Sequence, residues 1–210
     1  MIVLITGATS GIGESCAELF SKKGYKTILI GRRKDRLTKL AKKLGLKNNL
    51  PIQLDVRNKN KVFLTISKLP KIFKKISILI NNAGLAWGLE PAHKIDIKKW
   101  ETMIDTNCKG LVYMTRAVLP GFIKRNKGHI VNIASLAGKK GVLYNGVYSA
   151  TKSGLILWSD ALDQEMKEFG VGVTAVCPGY IAETGMFNDG GYPPPALLGE
   201  SDPRKVGIAV

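Results

Sequence analysis

Ile2-Val3-Leu4-Ile5-Thr6-Gly7-Ala8-Thr9-Ser10-Gly11-Ile12-Gly13 follows the initial methionine. The first part is a short unbroken apolar run, as a strand buried on both faces requires. The second part is a glycine turn that opens an amphipathic segment. Residues without Cβ let the backbone approach a phosphate closely. The amides and dipole of a helix N-terminus then meet the negative charge. The spacing is G-x-x-x-G-x-G rather than G-x-G-x-x-G. Gly7, Ser10, Gly11, Ile12 and Gly13 are therefore candidate pyrophosphate contacts, with a ligand-free structural turn as the alternative.

The same strand-then-helix grammar repeats along the chain. Strands are predicted at 2–6, 26–31, 50–55, 76–81, 128–134 and 171–177. Helices are predicted at 11–23, 33–45, 58–68, 97–126 and 146–169. Alternation of this kind implies right-handed crossovers and an α/β, doubly wound parallel sheet flanked by helices. The region 97–126 reads as more than one helical piece, with a break or kink expected at Pro120. Residues 185–201 read as a Gly- and Pro-rich loop. Asp202-Pro203 then reads as an N-cap followed by proline at the first helical position. The 210 residues suit one domain, 1–210, with no linker or internal repeat.

Composition narrows the function classes. No stretch approaches about 20 apolar residues, so no membrane span is expected. Cys16, Cys108 and Cys177 are few, odd in number and not in metal-ligand spacing, which fits small thiols in a reducing cytoplasm. The formal net charge is +16. Residues 1–80 carry 18 basic and 4 acidic side chains, so the excess falls on the half that holds the glycine turn. The lysines are dispersed without interleaved aromatics, so nucleic acid is not an expected partner. The field favours an anionic cofactor and anionic substrates.

The second strand bears on which cofactor. An acid near its end would bond a ribose 2′-hydroxyl, whereas arginine accommodates a 2′-phosphate. Here the strand ends in Gly31-Arg32-Arg33-Lys34, with no acid before Asp35. The planar guanidinium fork binds phosphate, so Arg32 and Arg33 favour NADP. Asp55-Val56 ends the third strand, where Asp55 contacts adenine or merely caps the next helix. Asn81-Asn82-Ala83-Gly84 ends the fourth, and Asn82, Ala83 and Gly84 fit the crevice at the carboxyl ends of parallel strands.

Tyr148 and Lys152 lie one helical turn apart on one face. A free phenol has a pKa of about 10. An adjacent ammonium is expected to lower it toward working pH, where proton transfer is efficient. Ser135 is expected at the carboxyl end of the fifth strand, where its hydroxyl can hold a substrate oxygen. Lys152 can also bond the nicotinamide ribose. These residues suggest a nicotinamide-dependent oxidoreductase. His93 and His129 are expected to be surface or structural, and Trp87, Trp100 and Trp158 packing residues, with Trp87 also placed to line a pocket. Lys139 and Lys140 are either carboxylate attractors or surface charge.

These motifs, in this order from Met1 to about Phe187, make the chain resemble the short-chain dehydrogenase/reductase family. The carriers are the Thr6–Gly13 turn, Asn81-Asn82-Ala83-Gly84, Asn107, Ser135, Tyr148-x-x-x-Lys152 and Pro178-Gly179. The resemblance implies a Rossmann-like sheet. It implies that Asn107 holds a water that relays protons to Lys152. It also implies that Pro178, Gly179, Ile181 and Thr184 lie along the nicotinamide. Segments 85–94 and 100–121 are similar to the NADP-dependent 3-hydroxy acid dehydrogenase group, which implies small 3-hydroxy acids or their semialdehydes as substrates. Gly185-Met186-Phe187-Asn188-Asp189-Gly190 departs from that group's lid. Relatives usually continue through a seventh strand, so the chain is expected to lack the final family strand and to be truncated. The family is often oligomeric, which implies a homodimer or homotetramer. A reductase of other carbonyls and a noncatalytic nucleotide-binding module are the competing readings.

Overall fold

The computed structural model describes residues 1–88, 90–181 and 201–210. Six strands form one parallel sheet: β1 (Ile2–Thr6), β2 (Lys26–Gly31), β3 (Asn49–Gln53), β4 (Ile78–Asn81), β5 (Gly128–Ile133) and β6 (Val171–Val176). Their spatial order is β3-β2-β1-β4-β5-β6. The order reverses between β1 and β4, and that switch point opens a crevice at the carboxyl ends of both strands.

Alternation along β1 assigns its residues to two cores. Val3 and Ile5 pack with Cys16, Ala17 and Phe20 of α1 (Gly11–Lys22) and with Leu37, Leu40 and Ala41 of α2 (Lys34–Leu44). On the opposite face, Leu4 shares a core with Val62 of α3 (Lys59–Ser67). Later elements join the same core: Phe122 of α5 (Leu111–Arg125) and Leu162 of α6 (Gly146–Met166). The doubly wound expectation is met, with helices on both faces. Pro51 is tolerated in β3 because β3 is an edge strand.

The predicted elements are present with ends shifted by a few residues. The interruption expected in 97–126 exists, but not at Pro120. α4 (Ile97–Ile104) passes into a π-helical turn, Asp105–Gly110, which leads directly into α5. α5 runs through Pro120. Pro120 and Arg116 are both exposed, so the Arg116 carbonyl that loses its helical partner faces water. π turns are rare and concentrate at functional sites.

Asp202 caps α7 (Pro203–Ala209), accepting from the Arg204 amide at 2.7 Å, with proline in the first turn as expected. α7 packs on α1, with Gly207 close to Ser15 and Cys16. The loop expected at 185–201 lies outside the described residues except Ser201. Ser201 pairs with Ile181, and its amide donates to the Tyr180 carbonyl at 2.7 Å.

Candidate active site

Backbone shape sets the glycine turn. Gly7 and Gly11 have φ of +65° and +56°, a region that penalises a Cβ. A Cβ on Gly13 would strike the Gly7 carbonyl oxygen and the Asn82 amide nitrogen. Gly13 therefore supports the turn from beneath. Asn82 Nδ2 donates to the Thr6 and Gly7 carbonyls at 3.0 and 3.1 Å. Thr6 Oγ1 accepts from the amides of Asn82 and Ala83 at 3.0 and 2.9 Å. The turn after β4 is thus bolted onto the turn after β1, and the two form one wall.

Arg33 lies across that wall. Its Nη2 donates to Thr9 Oγ1 at 2.8 Å and to Ser10 Oγ at 3.0 Å. Ser10 stands at the N-cap of α1 without making a side-chain cap bond. Arg32 is exposed at the same strand end. The donor set, with bare amides at a helix N-terminus beside two guanidinium groups, fits the pyrophosphate and 2′-phosphate of a dinucleotide. Asp55 already holds Arg57, whose Nη2 donates to it at 2.6 Å. Burial pushes the Asp55 carboxyl up, but the Arg57 hydrogen bonds and charge overcome this and leave it low.

One cleft of about 530 Å³ runs from this wall to the carboxyl end of β5. Gly7, Ser10, Gly11, Ile12, Arg32 and Arg33 line its near end, and Asp55, Val56, Asn82, Ala83 and Gly84 its middle. Ser135, Tyr148, Lys152, Pro178, Gly179 and Ile181 line the far end, with half-exposed Trp87 at the mouth. Thr184 lies outside the described residues. His129 points elsewhere, bonding Thr174 at 2.9 Å, and His93 is exposed away from the cleft. Among the described residues no cluster of His, Cys, Asp and Glu could hold a metal, and no helix is long and apolar enough to cross a membrane.

Ser135 caps the short 3₁₀ turn Leu136–Gly138, accepting from the Ala137 amide at 3.1 Å. Its hydroxyl hydrogen is left free to turn toward the Tyr148 phenol, where it favours the ionised form. Asn107 sits in the π turn, 1% exposed. Its Oδ1 accepts from the Leu85 amide and its Nδ2 donates to the Leu85 carbonyl, both at 2.9 Å. A Cβ on Gly84 would meet Asn107 Oδ1 at 3.2 Å and Lys152 Nζ at 3.5 Å, so a small residue is needed between them.

The expected fall in the Tyr148 pKa is not found. Burial pushes the phenol up, and the Ser135 hydrogen bond opposes this without reversing it. Lys152 is itself buried, with Nζ 5.7 Å from the Tyr148 ring centroid and donating to the Ile133 carbonyl at 2.7 Å. Desolvation lowers its ammonium from 10.5 to about 8. In the protein alone the dominant physics is thus loss of water around both groups, rather than mutual attraction. Spacing in sequence gives no measure of that burial.

This burial has a cost to stability. Below pH 8 Lys152 is charged in both the folded and unfolded states, and the folded state bears the desolvation. Between pH 8 and 10.5 the unfolded chain binds the extra proton, so stability rises with pH. Lys152→Met should therefore stabilise the fold at pH 7, by up to about 3 kcal/mol. The gain should shrink toward pH 10.5. Urea unfolding across that range checks this, and a gain independent of pH would refute it.

Comparison with known proteins agrees with this geometry. Residues 1–191 match the family described as short chain dehydrogenase. The chain is 50% identical over 189 residues to the NADP-dependent 3-hydroxy acid dehydrogenase YdfG of Escherichia coli strain K12, covering 90% of this chain and 75% of that protein. It is 50% identical over 184 residues to the protein of the same name from Salmonella typhi, covering 88% and 74%. The closed form of serine dehydrogenase complexed with NADP⁺ superposes with a TM-score of 0.94 at 44% identity, over 100% of this chain and 87% of that one. With the sheet order, the glycine turn and the Tyr148–Lys152 pair in one cleft, the chain belongs to the short-chain dehydrogenase family.

Proposed function

We propose that the protein is an NADP-dependent oxidoreductase that interconverts a small 3-hydroxy acid and its semialdehyde or keto form. The carrying observation is the convergence of Ser135, Tyr148 and Lys152 at one end of a cleft whose other end is a glycine turn flanked by Arg32 and Arg33. When bound, NADP(H) supplies the hydride acceptor or donor. Gly7, Ser10, Gly11 and Ile12 form its pyrophosphate cradle with Gly13 packed beneath them, and the two arginines take its 2′-phosphate. Asp55, Val56, Asn82, Ala83 and Gly84 serve the adenosine side, and Pro178, Gly179, Ile181 and Thr184 the nicotinamide side.

Ser135 donates to the substrate oxygen, and Tyr148 exchanges the proton at that oxygen. Burial favours the protonated phenol, so the resting enzyme is poised to donate, as carbonyl reduction requires. Lys152 holds positive charge nearby below about pH 8. Asn107 keeps the adjoining wall in place and serves proton relay to Lys152. The relatives' names, a 3-hydroxy acid dehydrogenase and a serine dehydrogenase, support the substrate class.

We further propose a cytoplasmic homo-oligomer. Cys16, Cys108 and Cys177 are all free thiols, which supports a reducing compartment. Val112 on α5 and Leu157 on α6 are 43% and 69% exposed, apolar side chains available to a second copy.

Steady-state assays on 3-hydroxypropionate and serine, with both nicotinamides, test the reading. Turnover with a preference for NADP is expected. Failure on every short hydroxy acid, with turnover of ketones or polyols, would reassign the substrate class.

A further inference from the structure

Thr151 lies inside the Tyr148–Lys152 turn, 5% exposed. Its hydroxyl is used twice. Oγ1 donates to the Tyr148 carbonyl at 2.7 Å and accepts from Asn107 Nδ2 at 3.2 Å. Back-bonding to the preceding turn is common for threonine in a helix. The bond from Asn107 is different, because it joins residues 44 apart in sequence. Asn107 in turn grips both backbone groups of Leu85, which lines the cleft. One buried hydroxyl therefore ties together the acid–base turn of α6, the π turn and the cleft wall. Its single hydrogen is committed to Tyr148, so Asn107 must be the donor in the second bond.

We infer that Thr151 is a positioning residue that holds the Tyr148–Lys152 turn in register with the cleft wall through Asn107. The inference rests on the reading of Tyr148 and Lys152 as the acid–base pair. Valine matches threonine in shape but removes the donor to Tyr148 and the acceptor for Asn107. Small displacements of reacting groups are costly in rate, so the effect should fall on kcat and spare cofactor affinity.

The test compares Thr151→Val and Thr151→Ser with the wild type. In Thr151→Val, kcat should fall about 10- to 100-fold. Its Kd for NADPH, from fluorescence titration, should stay within about threefold. Thr151→Ser should recover most of kcat, and the pH profile of kcat should move in the valine variant only. A second readout needs no substrate: deuterium exchange of the Leu85 amide in the cofactor-free protein should quicken about tenfold in the valine variant and not in the serine variant.

A serine variant as impaired as the valine variant would overturn the inference, since the methyl group would then be what matters. Equal loss of kcat and NADPH binding would overturn it as well. If Thr151→Val does not fold, Thr151→Ala is read in the same way, and loss of the fold in both refutes a positioning role. If the wild type turns over no hydroxy acid while the exchange contrast holds, the substrate assignment fails and the positioning role stands.

Discussion

Tyr148→Phe is expected to lower kcat by about 10²- to 10⁴-fold, the range for loss of a positioned acid–base group. NADPH affinity should change little, within about threefold, because the ring and its packing are kept. The substitution removes one hydroxyl from a 6% exposed side chain and one hydrogen bond to Ser135. Stopped-flow measurement of hydride transfer, alongside fluorescence titration of NADPH, separates the two quantities. Retained turnover would remove Tyr148 from the chemistry, and attention would pass to Ser135.

The second large effect concerns cofactor choice. Arg32→Ala/Arg33→Ala should reduce kcat/KM for NADPH on the order of 10²- to 10³-fold, from two lost charge-assisted phosphate bonds. With NADH the loss should be much smaller. It should not be zero, because Arg33 also holds Thr9 and Ser10, the latter at the start of α1. The single variants divide these roles. Arg32→Ala should affect only NADPH, whereas Arg33→Ala should cost both cofactors something. The NADPH preference should also weaken with added salt, as an exposed electrostatic contact does. Equal losses with both cofactors in the double variant would leave the arginines a purely structural part.

Much of this was legible because it is local. Unbroken Ile, Val and Leu runs such as 2–5 and 28–30 can only be strands in a sheet covered on both faces. Asp202-Pro203 announces a helix start through a side-chain acceptor and a fixed φ. Tyr148 and Lys152 share a face by simple helical geometry. What escaped reading depends on neighbours distant in sequence. Asn82 reads as a cofactor contact, yet its amide is bound to Thr6 and Gly7, 76 and 75 residues away. Ser135 reads as a substrate contact, and it also caps its own turn. The Tyr148 phenol rises because burial outweighs the Ser135 hydrogen bond, and burial is a property of the whole packed site. The π turn gave no pattern to find, since Asp105–Gly110 looks like ordinary helix, and Pro120 drew the expected break to the wrong place. Thr151 was invisible for the same reason: its partner Asn107 is reached only through the fold.

The turn at Asp105–Gly110 also limits which length changes this protein can survive. It carries one residue more than regular helix would need, so removing any one of the six would restore ideal winding. Because the surplus residue is taken up inside the turn, α4 and α5 would keep their facing, and the change would fall on the side chains of the turn itself. Met103, buried and accepting from the Trp87 amide at 3.3 Å, would keep its seat, while Asn107 would be drawn off the two Leu85 backbone groups it bonds. Single-residue deletions in this stretch should be lost from any population selected for function, even where the deleted side chain is as exposed as that of Lys109.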